Sequence, residues 1–391
     1  MKEKVLKTAS EITAEITRLS DDLYNNPELG NCEYKSADSH VALLKKYGFS
    51  VERPYLGYPT GYRAEYRSGK AGPRICYMAE YDALPDIGHG CGHNMLGACS
   101  IAAGIILRKL ADEIGGTVIV LGTPAEETNG AKVIYAKKGA FLDVDAAMLA
   151  HPSAKYYFKS GSTLAMDTVE FEFTGLAAHA AGEPERGINA LDAVIATFNN
   201  INAMRQQMLP GARVHGIITE GGVTPNIIPD HCVCRFYVRA ANDLYLPFLM
   251  DKVKNCAKGA AVATGCKLSI SRFEYGYKNL VTNEALSDAF CESLEELGIT
   301  DIKDPGEPAG SADAGDVSHV CPTIHAYFPI TEKNIGSHTK EFAEETQTRY
   351  AKQNMMITAC GLAMAGAKII KEPERMAQIK KEFKAFKSKR L

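Results

Sequence analysis

Nowhere in this 391-residue chain do two cysteines stand three residues apart, so the Cys-x-x-Cys frame common in structural zinc sites is missing. The eleven cysteines are odd in number and scattered, mostly among apolar neighbours as in VCRF and ICYM. That pattern argues for reduced thiols in a cytoplasmic protein rather than for a disulfide framework. A basic excess is lacking too. The net charge is −3, whereas a nucleic-acid binder usually carries surplus Lys and Arg. The one basic run, KKEFKAFKSKR near the C-terminus, reads as a solvated tail or helix face. Long apolar stretches are also absent. MKEKVLKTASEITAEITRL carries charges throughout, like an amphipathic helix and unlike a secretory signal. The most apolar segment, LGACSIAAGIIL at 96–107, is too short to span a bilayer, so no membrane partner is expected. No internal repeat or low-complexity tract is visible.

What is there fits a globular protein of two domains. Apolar residues make up 46% and charged residues 23%, ordinary values for a soluble fold. The length exceeds the roughly 250–300 residues at which single cores stop growing. PRICYMAEY (73–81), GTVIVLGTP (116–124) and AAMLAHP (146–152) read as buried strands, with a helix over about 95–113. Strands alternating with helices predict a mainly parallel α/β sheet, whose ligands collect at the carboxyl ends of the strands. Asp82, Glu126, Glu127 and His151 fall just past three successive strands. From about 168 to 280 the pattern becomes strand, helix, strand, strand, helix, strand, the ferredoxin-like α+β order, complete in itself. The division expected is a catalytic domain from 1–167 and 281–391 with an inserted domain at 168–280. The chain is expected to end in one long helix from about 340.

The stretch GHGCGHN (88–94) sets His89, Cys91 and His93 at alternate positions between glycines. A tight metal-binding loop and a flexible surface loop both fit that spacing. Glu126 and Glu127 are adjacent, so in extended backbone their carboxylates point to opposite sides and do different work.

HGCGHN, GTPAEET, AHPS, GLAAHAA, GGVTPNIIPD and a late GSH stand in the order and spacing of the M20 family of metallopeptidases and amidohydrolases. The chain most resembles its aminoacylase-like branch, which includes aminobenzoyl-glutamate hydrolase and dipeptidases acting on β-alanyl-lysine-type substrates. The resemblance covers nearly the whole chain. It implies two divalent ions, zinc or manganese, held by Cys91, His93, Glu127, His151 and His338, with Glu126 as general base for a metal-bound hydroxide. It implies that His179 reaches an active site across a homodimer, or a higher assembly, and steadies the oxyanion. Asn226 would bind substrate, with Pro229 and Asp230 shaping its turn. His215, Gly310, Ser311 and Asp313 are further candidates for the substrate pocket, and Asp316 a structural residue. Many relatives carry His-x-Asp after the first strand, with that histidine on the metal. Here the stretch is Glu80-Tyr81-Asp82, so Asp82 is expected to orient a ligand or the base, and Glu80 to close a hydrogen-bond network. The expected reaction is hydrolysis of the amide bond of a small N-acyl amino acid or dipeptide-like substrate. A broader peptidase and an inactive binding relative are the alternatives.

Overall fold

The computed structural model describes residues 1–308 and 310–389. The chain divides into two compact units. The first comprises Met1–Ser162, Leu280–Pro308 and the chain from Ala312 onward; the second comprises Thr163–Asn279 with a short return at 310–311.

The first unit is built on an eight-stranded sheet. Its strands run Ser50–Glu52, Tyr62–Arg67, Thr117–Gly122, Arg74–Ala79, Ala146–Ala154, Thr323–Thr331, Tyr157–Phe158 and Ile302–Lys303 across the sheet. The middle four are mutually parallel, and Tyr62–Arg67 joins them antiparallel. Arg74–Ala79 and Thr117–Gly122 are buried along almost their whole length, which is why they read as apolar runs rather than alternating ones. The fold class is therefore a mixed, mainly parallel α/β sheet with a second α+β unit.

Helix His93–Ile114 packs between the sheet, the Lys2–Asn25 helix and the Arg349–Lys371 helix. Two glycines let it come close. A Cβ at Gly97 would sit 2.6 Å from the Glu80 carbonyl oxygen, and one at Gly104 would sit 2.4 Å from Val120 Cγ2. The 96–107 segment thus belongs to a 22-residue helix that is long and apolar enough to cross a membrane, contrary to the expectation from its length. Nearly all of its apolar surface is instead buried in the core. Lys2–Asn25 presents Val5, Ile12, Ile16, Leu19 and Leu23 to that core, an apolar stripe at helical spacing.

The single C-terminal helix is also corrected: the segment forms Lys340–Glu345, Arg349–Lys371 and Pro373–Ser388. Local chemistry makes the breaks. Thr348 Oγ1 accepts the Ala351 N–H and so starts a new helix, and Pro373 opens the last one at a position that needs no N–H.

The second unit is a four-stranded antiparallel sheet in the order Lys267–Ser271, Ala165–Thr174, His231–Ala240, Arg213–Glu220. Helices Ala190–Met204 and Leu246–Thr264 pack on it, with Phe171, Phe173, Phe236, Val194, Leu249 and Val253 in its core. The chain order is strand, helix, strand, strand, helix, strand, as the ferredoxin-like pattern requires. Asn189 caps the first helix, its Oδ1 accepting the Leu191 and Asp192 N–H groups.

Candidate metal centre and its surroundings

The carboxyl ends of the central strands bring together residues far apart in sequence. The glycine-rich loop comes first. Gly92 adopts φ +81°, and a Cβ on it would meet Pro152 Cγ at 2.8 Å, so only glycine fits between Cys91 and His93. The Gly90 carbonyl accepts the N–H of His338 at 2.8 Å, which docks a residue from late in the chain onto this loop. Cys91 Sγ then lies 3.5 Å from His151 Nε2 and 3.4 Å from His338 Nε2. Glu127 Oε1 lies 3.5 Å from the same His338 nitrogen. The donor atoms of three sets, Cys91–His93–His151, Cys91–Glu127–His338 and His93–Glu126–Glu127, each lie within 4.8 Å of one another. All five expected ligands and Glu126 therefore converge.

The non-converging atoms are fixed from behind. His93 Nδ1 is 2.9 Å from Asp82 Oδ1, while Asp82 Oδ2 accepts the Glu127 N–H at 2.9 Å. Asp82 thus holds two of the cluster residues at once. His151 Nδ1 is 2.7 Å from the Pro152 carbonyl oxygen, which makes that nitrogen the donor and leaves Nε2 with its lone pair toward Cys91. His93 Nε2 and Glu127 Oε1 are buried and make no hydrogen bond among the described residues. Together with the neighbouring thiol, imidazoles and carboxylates, these atoms are a fitting donor set for borderline-soft divalent cations.

Electrostatics say the same. Burial pushes the Cys91 thiol well above its ordinary range, with Glu127 and Glu126 adding to the shift. A thiolate here needs a cation beside it. Burial also holds His151 neutral, its pKa lowered to about 3. Burial works against charge on His93, yet Asp82 and Cys91 carry its pKa well above the usual value. Glu126 is raised well above a normal carboxyl by burial and by Glu127, Glu80 and Asp313. His89, from the same GHGCGHN stretch, is buried, and burial holds it neutral, near pKa 3.

Behind the cluster runs a buried ionic chain. Glu80 Oε2 is 3.2 Å from His93 Nε2, and Lys132 Nζ is 2.8 Å from Glu80 Oε1 and 2.6 Å from Asp313 Oδ1. Asp313 also accepts the Lys132 N–H at 3.1 Å. The Asp313 carboxylate, expected in the substrate pocket, is fully buried and taken up by Lys132, so it supports the site from the inside. Burial alone would protonate Glu80, but Lys132 and His93 bring its pKa down to about 2. Asp316 sits in the short helix Ala314–Ser318 beyond it.

The remaining candidates lie in the second unit. His179 is exposed, and its Nδ1 accepts the Ala181 and Gly182 N–H groups at 3.2 and 3.0 Å. Nε2 therefore carries the proton and is free to donate. The segment bearing Asn226 pairs with it, through the His179–Ile227 bridge and an Ala180 N–H on the Asn226 carbonyl. The carbonyls of Pro229 and Asp230 accept the Ala190 and Gly175 N–H groups and fix the turn. Gly310 binds Leu164 N–H through its carbonyl.

His215 and Ser311 meet at a residue that sequence reasoning missed. Arg239 donates from Nη1 to Ser311 Oγ at 2.8 Å and from Nε to His215 Nε2 at 3.3 Å, and lies over the Tyr237 ring. No carboxylate pairs with it among the described residues. Lys132 and His325 were missed as well. His325 stacks on His151 with ring centroids 5.6 Å apart. The alternation in TIHAYF, two residues from the Tyr327 that pairs with His151, was the available signal for His325.

Comparison with known proteins agrees. A family model described as peptidase family M20/M25/M40 matches residues 76–353. A mouse Xaa-Arg dipeptidase is 36% identical, over 98% of this chain and 92% of that protein. One of the p-aminobenzoyl-glutamate hydrolase subunits of Escherichia coli is 33% identical, over 72% of this chain and 62% of that protein. Among solved structures, an aminobenzoyl-glutamate utilization protein from Klebsiella pneumoniae superposes with a TM-score of 0.73 at 19% identity, covering 93% of this chain and 98% of that one. A dinuclear metal-binding M20 peptidase from Bacillus subtilis gives 0.70 at 20% identity, covering 92% and 99%.

Proposed function

The chain belongs to peptidase family M20/M25/M40 and is a metallohydrolase of amide bonds, and from that premise we propose that its substrate is a small dipeptide-like or N-acyl amino acid. The observation that carries the reading is the convergence of the donor atoms of Cys91, His93, Glu127, His151 and His338. Two divalent ions, zinc or manganese, held by those five residues would supply Lewis acidity to the carbonyl and to water. Glu126, beside them, takes the proton from the attacking water and returns it to the leaving nitrogen. Asp82 fixes the ring of His93 and the backbone of Glu127. His179 of a second copy donates from Nε2 to the developing oxyanion, and Asn226 binds substrate beside it.

Arg239 gives the substrate a chemical class. A guanidinium with no carboxylate partner among the described residues, bridged to Ser311 and His215, suits a substrate carboxylate. The mouse relative is named for dipeptides ending in arginine, and a free α-carboxylate is common to dipeptides and N-acyl amino acids alike. A homodimer through the second unit has support in the edge strand Arg213–Glu220, which exposes Ile217 and Ile218. All eleven cysteines are unpaired, as suits a cytoplasmic protein.

The test is metal analysis of the purified protein together with hydrolysis of dipeptides, N-acyl amino acids and longer peptides. About two ions per chain and cleavage confined to short substrates support the reading. Metal without cleavage of any amide overturns it, and comparable rates on long peptides favour the broader peptidase.

A further inference from the structure

One loop touches both acidic turns of the site. Glu33 is wholly buried where the loop enters the Tyr34–Lys46 helix. Its Oε1 accepts the Ala125 N–H at 2.7 Å, and its Oε2 accepts the Thr60 hydroxyl at 2.9 Å. Ala125 stands immediately before Glu126 with φ +61°, in the left-handed region that a side chain disfavours. Gly30 of the same loop lies against this turn: a Cβ there would come within 2.6 Å of Thr128 Oγ1 and 3.0 Å of Ala125 Cα. A few residues back, the Glu28 carbonyl accepts the Ala83 N–H at 2.8 Å, directly after Asp82.

We propose that Glu33 is a positioning residue, whose side chain grips the Ala125 amide and so holds the left-handed turn that aims Glu126 and Glu127. The inference rests on the roles given to those two residues above. An alanine at positive φ persists only where its surroundings hold it. The Ala125 N–H has no other acceptor among the described residues, so the Glu33 oxygen holds the amide side of this turn, while its carbonyl side accepts the Thr128 and Gly130 N–H groups at 3.2 and 2.7 Å. Losing that oxygen lets the peptide rotate and carries the Glu126 carboxylate with it. A displacement of about 1 Å at a reacting group can lower the rate on the order of 10²-fold.

The test uses the full-length, metal-loaded protein with E33Q, E33M and E33D. The first keeps an acceptor oxygen for Ala125. E33M fills the space without one, and E33D keeps the charge but withdraws the oxygen. Amide hydrogen exchange of residues 123–130 is read by mass spectrometry, beside kcat, KM and metal content on a dipeptide. E33M and E33D should expose 123–130 to exchange while 74–79 and 117–122 stay protected. Their kcat should fall on the order of 10²-fold, with KM within about threefold and metal retained. E33Q should stay near wild type on every readout. Unchanged exchange at 123–130 in E33D, or an E33Q as damaged as E33M, overturns the proposal. If E33M does not fold, E33D and E33Q still decide it. If the wild type cleaves no amide, the functional reading has failed, and the exchange data still show whether Glu33 holds the turn.

Discussion

The two units use histidine in opposite ways. In the first, His93 and His151 are held by an acceptor behind each ring, Asp82 or the Pro152 carbonyl, so one nitrogen faces the cluster in a fixed tautomer. In the second, His179, His215 and His231 stand at or near the surface and bond to neighbours on their own sheet or loop. One set of rings is fixed from behind by its own fold; the other stands open, as the proposed substrate and partner contacts would need. The difference suits the roles proposed for each, since cation ligands need fixed lone pairs whereas substrate contacts have to admit and release their cargo.

The contrast can be broken most directly at Glu126. E126Q should keep its metal and lose about 10²–10⁴-fold in kcat, measured on a dipeptide alongside metal analysis. Loss of metal instead would make Glu126 a ligand and Glu127 the base. H179A should lose about 10²–10³-fold in kcat with metal content intact. Mixing E126Q and H179A subunits should restore activity if His179 serves the partner copy, and dead mixed dimers would keep His179 within its own subunit. D82N should weaken metal affinity about 10–100-fold, read by competition with a chelator, because His93 loses its fixed tautomer. R239A should raise KM about tenfold with kcat nearly unchanged, and only for substrates bearing a free carboxylate. An equal rise with a carboxyl-amidated substrate would detach Arg239 from that role.

The smallest effect expected is at His231, which lies between Glu172 at 2.9 Å and Glu220 at 3.1 Å. Its bond to Glu172 raises its pKa above 6.5. The pair therefore adds stability that is complete below pH 6.5 and is lost as pH rises through the higher folded value. The group is largely solvated, so the change in unfolding midpoint should be slight, and H231N should flatten it.

Much of this was legible in the sequence, for identifiable reasons. Arg74–Ala79 and Thr117–Gly122 are buried on both faces and leave unbroken apolar runs, and the chemistry of such sheets gathers at their strand ends. Asp82, Glu126, Glu127 and His151 drew attention by falling at those strand ends, but the roles expected of them came from the resemblance of the motifs. Lys132 had no such signal. In AKVIYAKK it looks like any solvated helix lysine, and only the fold reveals that Glu80 and Asp313 close around it. Glu33 and Arg239 were hidden for the same reason, since a partner 92 residues away for Glu33 and 72 away for Arg239 leaves no local trace. Asp313 was read as a pocket residue because its neighbours Gly310 and Ser311 lie on an open stretch, whereas burial begins two residues later.

The hold of Gly90 on His338 also sets an order in time. Cys91 and His338 are separated by 247 residues, so on the ribosome the thiol exists long before its last companion. At about 5–20 residues per second the gap is roughly 12–50 s. During that interval Cys91 stands without the His338 imidazole that lies beside it in the folded chain. The proposed set of cation ligands is thus completed late, only once His338 has been made.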